Sequence, residues 1–305
     1  MKRILVILII AAAGGSILFF WATAMRRGPA VAGRDFFVTK KADSGRLQVT
    51  ASFYPLYFFA KEITGDKADV YNLTPAGAEP HDYELTAGDR ARIEDSELLI
   101  LNGGKLEPWG DRVRTALTGS RTRVVAVGGN GADPHVWLDP RLAKIQARSI
   151  LEALVAVDPT AEELFQNNFN LLEGKMDALD REYRATLTNC EKKDIITTHA
   201  AFGYLADEYG LNQIGISGLS PDEEPSSGRL VEIAEFVRKN NIKYIFFETL
   251  VSPKLAETIA HEVGAETLQL NPLEGISDAD ARNGKNYFTE MEKNLANLRI
   301  ALECP

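Results

Sequence analysis

The chain has 305 residues, of which 45% are hydrophobic, 25% charged and 9% aromatic, a balance that excludes wholesale disorder. Its formal net charge of −9 and pI near 5.1 argue against nucleic acid as a partner, because phosphate binding needs a basic surface. At about 150 residues per domain, the length favours two domains, each large enough for a core of its own.

Lys2 and Arg3 precede an uncharged stretch, ILVILIIAAAGGSILFFWATA (4–24), about long enough to span the hydrocarbon of a bilayer as a helix. It reads as a membrane anchor. A cleaved export signal is the alternative, since small-residue sites follow at Ala22-Thr23-Ala24 and Ala30-Val31-Ala32. No cysteine lies near it to carry a lipid. Either way the rest of the chain is expected outside the cytoplasm. Residues 25–45 are polar and without apolar periodicity, as in a linker.

Strand-like and helix-like runs then alternate. LQVTAS (47–52), ADVYNLT (68–74), ELLILNG (97–103) and TRVVAVGG (122–129) read as strands, the last two as glycine-bounded apolar runs typical of buried parallel strands. FYPLYFFAKEITG (53–65) and AGDRARIEDS (87–96) have helical spacing between them. A helix from Arg141 to about Val157 is broken by Asp158-Pro159, and Thr160 with Glu163 forms a capping-box pattern for a second, over 161–189. At 1.5 Å per residue that helix is on the order of 40 Å long, a strut between lobes. The alternation resumes with strands at 194–199, 212–217, 243–248 and 265–270 and helices at 201–210, 229–241, 253–264 and 286–303, interrupted by a polar loop at 218–228. The expected architecture is α/β, with two Rossmann-like lobes of mostly parallel strands (46–158 and 190–305) joined by one long rigid helix (159–189).

Two cysteines, Cys190 and Cys304, are too few for a thiolate zinc site; in an oxidising compartment they could pair and tie the chain's end to the start of the second lobe. The chemistry concentrates instead in histidine. Of four, His81, His135 and His199 follow predicted strands, in loops where open α/β sheets bind ligands. His261 lies inside an amphipathic helix and reads as a surface residue. A fourth ligand from the second lobe has several candidates: Glu274 in LNPLEGIS, with Asp278, Asp280 and Glu248 as rivals. Three imidazoles and a carboxylate suit tetrahedral zinc, whereas manganese favours more oxygen and higher coordination. The acids preceding Pro80-His81 and Pro134-His135 (Glu79 and Asp133) fit turn chemistry, Asp222-Glu223-Glu224 a solvated turn, and Trp137 the core.

Several stretches, in matching order from residue 47 onward, carry a resemblance: ASFYPLYFFAKEITGD, EPHDYELTAGDRARIEDSELLILNG, DPHVWLDP, TTHAAFGYLADEYGL, GISGLSPDEEPSSGRLVEIAEFV and LNPLEG. The chain resembles the zinc-binding solute receptors of bacterial ABC importers, in a group that also includes manganese receptors and so-called adhesins. The resemblance implies a metal held between two lobes, with His81, His135, His199 and Glu274 as ligands. It favours zinc because manganese relatives have glutamate at the third position. It further implies a non-enzymatic monomer that carries Zn2+ as cargo to a permease subunit. The long His-rich loop of many such receptors is missing between His81 and His135. A manganese or other divalent-metal receptor, a zinc-dependent hydrolase and a metal-stabilised adhesion module are the rivals; no HExxH helix or GxSxG elbow supports the hydrolase. The stiff connecting helix predicts modest lobe movement on binding.

Overall fold

The structure, a computed structural model, describes residues 45–129 and 131–305. The apolar segment 4–24 and the linker 25–45, save its last residue, lie outside the described residues. Among the described residues no helix is long and apolar enough to cross a membrane.

The first lobe is built on β1 (Leu47–Ala51), β2 (Ala68–Asn72), β3 (Leu98–Leu101) and β4 (Arg123–Ala126). They form one sheet of order β2-β1-β3-β4 with every pair parallel. β1 and β2 register Leu47 with Ala68 and Ala51 with Asn72. The sequence LLIL of β3 is fully buried, as expected of a central parallel strand covered on both faces. Around the sheet lie α1 (Tyr54–Thr64), α2 (Ala87–Asp95), α3 (Gly110–Ala116) and α4 (Pro140–Val157). α1 carries Pro55 in its first turn, where the fixed φ of proline fits, and stops at Gly65. α2 starts with a capping box between Thr86 and Asp89.

α5 (Glu162–Leu187) then runs about 39 Å at 1.5 Å per residue. Its start differs from expectation: Thr160 does not cap it. Asp158 instead accepts hydrogen bonds from the Thr160 amide (3.2 Å) and hydroxyl (2.6 Å), folding Pro159–Ala161 into a 3-10 turn that leads into α5. Thr160 lies inside that turn and Ala161 is the N-cap of α5, so no box between Thr160 and Glu163 forms.

The second lobe repeats the first. β5 (Asp194–Thr197), β6 (Asn212–Gly215), β7 (Tyr244–Phe247) and β8 (Glu266–Gln269) form a second all-parallel sheet, of order β6-β5-β7-β8. Its helices are α6 (Gly203–Tyr209), α7 (Ser227–Lys239), α8 (Lys254–Val263), α9 (Asp278–Arg282) and α10 (Tyr287–Ala301).

α5 links the lobes while embedded in both. Its buried stripe (Phe165, Phe169, Leu172, Met176, Leu179, Tyr183, Leu187) belongs to one apolar cluster that also takes in Val49 and Phe59 of the first lobe and Ile195, Phe246 and Leu298 of the second. Tyr183 donates to the Met291 carbonyl of α10 (2.7 Å), and Lys144–Asp177 and Arg148–Glu173 pair α4 with α5 at 2.6 and 2.7 Å. Phe58 and Phe59 of α1 pack on Tyr287 of α10, at ring separations of 5.9 and 5.0 Å. A Cys190–Cys304 disulfide, 114 residues apart in sequence, ties the entry of the second lobe to the chain's last residues. Beside it, the Lys192 amide donates to the Leu302 carbonyl (3.0 Å).

Candidate metal centre

In each sheet the chain reverses its direction of winding at the centre, between β1 and β3 and between β5 and β7. Loops leaving the carboxyl ends of the strands meet there. His81 sits in a 3-10 turn (Pro80–Asp82) after β2, and His135 heads another (Val136–Leu138) after β4. His199 follows β5 directly, and Glu274 lies in the loop after β8. The first-lobe loop passes close to the second lobe: a Cβ on Gly131 would stand 2.5 Å from the Tyr204 hydroxyl.

The four side chains meet. One ligand atom from each of His81, His135, His199 and Glu274 lies within 4.8 Å of all the others, the only such group of His, Cys, Asp and Glu among the described residues. His135 Nε2 is 3.3 Å from His81 Nε2 and 3.4 Å from His199 Nε2. Glu274 Oε1 is 3.3 Å from His81 Nε2, 3.3 Å from His135 Nε2 and 3.6 Å from His199 Nε2. A tetrahedron with zinc-to-ligand bonds of about 2.0–2.1 Å has edges of about 3.3–3.4 Å. Five of the six edges are thus within about 0.3 Å of the zinc value.

The atoms at this centre lack other partners. Both Glu274 carboxylate oxygens are buried, and neither makes a well-aligned hydrogen bond; the approaches to imidazole are close but badly directed. A buried carboxylate without donors is costly unless a cation faces it. Burial pushes the Glu274 carboxyl up, but the three imidazoles outweigh it and hold it well below the ordinary carboxylate range.

Two further carboxylates set the histidines. Asp133 Oδ1 lies 2.7 Å from His135 Nδ1 and also accepts from the His135 amide (2.9 Å). Glu248 Oε2 lies 2.6 Å from His199 Nδ1, while its Oε1 accepts from the His199 amide (3.0 Å) and the Thr198 hydroxyl. A carboxylate only accepts, so each Nδ1 carries hydrogen and each Nε2 of a neutral ring turns a lone pair inward. Burial lowers the affinity of His135 and His199 for a second proton, yet these carboxylates and Glu274 outweigh it. His135 is raised, and His199 is raised to about 10. His81, by contrast, faces a cavity of about 450 Å3 lined also by Lys105, Pro134, Gly218, Leu219, Ser220 and Glu223. Glu79 is pushed up to about 9 by burial and by the Glu274 charge.

The remaining candidates lie elsewhere. Asp278 and Asp280 belong to α9, where Asp280 binds Ser277 and Lys285. His261 is exposed on α8. Asp222, Glu223 and Glu224 are exposed in their loop, where the Asp222 carboxyl beside Asp82 of the first lobe pushes the Asp82 carboxyl up. Sequence reasoning placed Glu248 among rival ligands and Asp133 in turn chemistry. The signal available was the two-residue spacing Asp133-Pro134-His135, which lets one carboxylate reach both the amide and the ring of the same histidine.

A family model described as zinc-uptake complex component A, periplasmic (ZnuA), matches residues 49–301. The chain belongs to the ZnuA family. Among its relatives, the zinc-binding lipoprotein AdcA of Streptococcus pneumoniae is 38% identical over 85% of this chain, and this ZnuA-family chain spans only 56% of that protein's length. The high-affinity zinc uptake system protein ZnuA of Bacillus subtilis is 39% identical over 84% of this chain and 88% of its own length. The crystal structure of the Zn(II)-bound ZnuA-like domain of S. pneumoniae AdcA superposes with a TM-score of 0.77 at 39% identity, over 85% of this chain and all of that one. The two-lobed α/β architecture is therefore that of the ZnuA family.

Proposed function

We propose that this protein is the extracytoplasmic solute-binding component of an ABC zinc importer. It binds one Zn2+ between its lobes through His81, His135, His199 and Glu274 and delivers the ion to a permease subunit. The observation that carries this reading is the near-tetrahedral set of three Nε2 atoms and one orphaned, ionised carboxylate oxygen at zinc spacing. Zinc is borne by relatives whose names and structures describe it, in proteins about 38–39% identical to this chain. The lobes divide at 46–158 and 190–305, with 159–189 between them, and segment 4–24 holds the protein at the outer face of a membrane as a monomer.

Zinc is cargo here, and the chain's residues bind and orient it. Asp133 and Glu248 keep two imidazoles in the ligating tautomer, and Glu274 supplies the charge that makes the shell selective for a cation. With all four ligands engaged no position is left open for an activated water, so the arrangement favours carriage over hydrolysis. Calorimetric titration of the full chain is expected to show one tight zinc site and weaker manganese binding. His199→Ala is expected to weaken zinc on the order of a hundredfold, one ligand's share of a four-ligand site. Tighter manganese binding, or unchanged zinc affinity in the variant, would overturn the assignment.

A further inference from the structure

We propose that Trp137 is a positioning residue that sets the separation of His135 and Glu274 across the lobe boundary. The inference rests on the zinc-receptor reading and assigns this buried indole a task beyond packing. Trp137 lies two residues after His135, in the same turn, and its Nε1–H donates to the carbonyl of Pro272 (2.7 Å), two residues before Glu274. One hydrogen bond thus joins two ligand-bearing segments that are 135 positions apart. The ring is held edge-on by Phe53 at 4.6 Å and lies 5.2 Å from the His135 ring.

Both ends of this bridge are grounded on α10. The Trp137 carbonyl accepts from the Tyr287 hydroxyl (2.6 Å). On the other side, Asn294 accepts from the Asn271 amide (2.8 Å) and donates to its carbonyl (2.7 Å), and the Asn271 side chain bonds Glu290 (2.8 Å). Between Pro272 and Glu274, Leu273 has φ of 55°, a left-handed conformation that a non-glycine residue keeps only where its surroundings enforce it. Its amide is fixed by Asn271 Oδ1 at 2.9 Å.

The need for such anchorage follows from Glu274 itself. Its carboxylate has no hydrogen-bond donor to orient it, so the backbone that carries it must do so. Asp133 and Glu248 serve two of the histidines directly; Glu274 is served through its neighbours. Trp137 is the element of that support that also belongs to a first-lobe ligand turn.

The test uses Trp137→Phe and Tyr287→Phe in the full chain, with Leu154→Ala, a buried residue of α4, as a packing comparison. Zinc affinity is measured by competition with a chelator, and site geometry by the visible absorption of bound Co2+. Trp137→Phe is expected to lower zinc affinity about tenfold or more and to alter the cobalt bands. Tyr287→Phe is expected to act in the same direction, and it decides the question if the tryptophan variant fails to fold. Leu154→Ala should lower thermal stability with affinity and cobalt bands unchanged. Wild-type affinity and cobalt bands in both bridge variants, or equal changes in Leu154→Ala, would overturn the proposal. A wild-type chain that takes up neither metal would overturn the functional reading, and the bridge with it.

Discussion

Replacing Glu248 by Gln keeps the shape of the side chain and removes its charge, and the consequence can be worked out atom by atom. Glu248 accepts three hydrogen bonds, from the Thr198 hydroxyl, the His199 amide and His199 Nδ1. A glutamine has one acceptor oxygen. If it keeps Thr198 and the His199 amide, its NH2 group faces Nδ1, and two donors oppose each other. Relief requires the tautomer with hydrogen on Nε2, which aims a proton at the position the metal needs. Either outcome costs the loss of a charge-assisted bond, about 1.5–3 kcal/mol, or between about tenfold and a hundredfold in zinc affinity. Competition with a chromophoric chelator measures this directly, and the melting temperature of the metal-free variant establishes that it folds. A folded Glu248→Gln variant with affinity within about twofold of wild type would refute the role assigned to this carboxylate.

The metal-free protein should lose stability as pH rises. The His199 pKa stands at about 10 in the folded chain against 6.5 for the free side chain, so its protonation favours the fold fully below about 6.5, and that contribution disappears as pH passes through 10. Glu274, held low, acts oppositely: its contribution is lost only as pH falls below the ordinary carboxylate range. Thermal melts in excess chelator should therefore decline between pH 7 and 10, and a flat profile would contradict the shift. Reducing the Cys190–Cys304 disulfide releases a closed loop of 114 residues, worth roughly 4–5 kcal/mol in the chain-entropy account. Denaturant midpoints should fall while zinc affinity holds, because neither cysteine neighbours a ligand in sequence; an unmoved midpoint would count against a stabilising bond.

Much of the fold is written in short-range signals. Apolar runs ending in glycine, such as ELLILNG, announce buried strands, and their alternation with helical spacing announces the two parallel sheets. Two helices escaped that reading for physical reasons. α3 has the sequence GDRVRTA, with only Val113 and Ala116 apolar and no side-chain cap, and α9 is a single capped turn among charged residues. The capping-box pattern at Thr160 misled because Asp158 draws Thr160 into a 3-10 turn and the helix starts later, with Ala161 as its N-cap.

The candidate site divides in the same way. Three histidines after strand ends, together with the resemblance, were enough to single out the residues that the fold brings together with Glu274. Strand ends and spacing alone left the choice among Glu274, Glu248, Asp278 and Asp280 open, because it depends on which loop crosses the cleft; only the resemblance singled out Glu274. Nor was the link from Trp137 to Pro272, since nothing local to either residue points to the other.

The uninterrupted apolar seam from β1 through α5 to α10 has a consequence for how the protein comes apart. Each half also has a smaller apolar cluster of its own, around Leu99 in the first and Ile245 in the second, but the largest one spans both, so heating or denaturant should dismantle them in one cooperative step. A surface protease would then meet either the intact protein or an unravelled chain, with no half-open form in between.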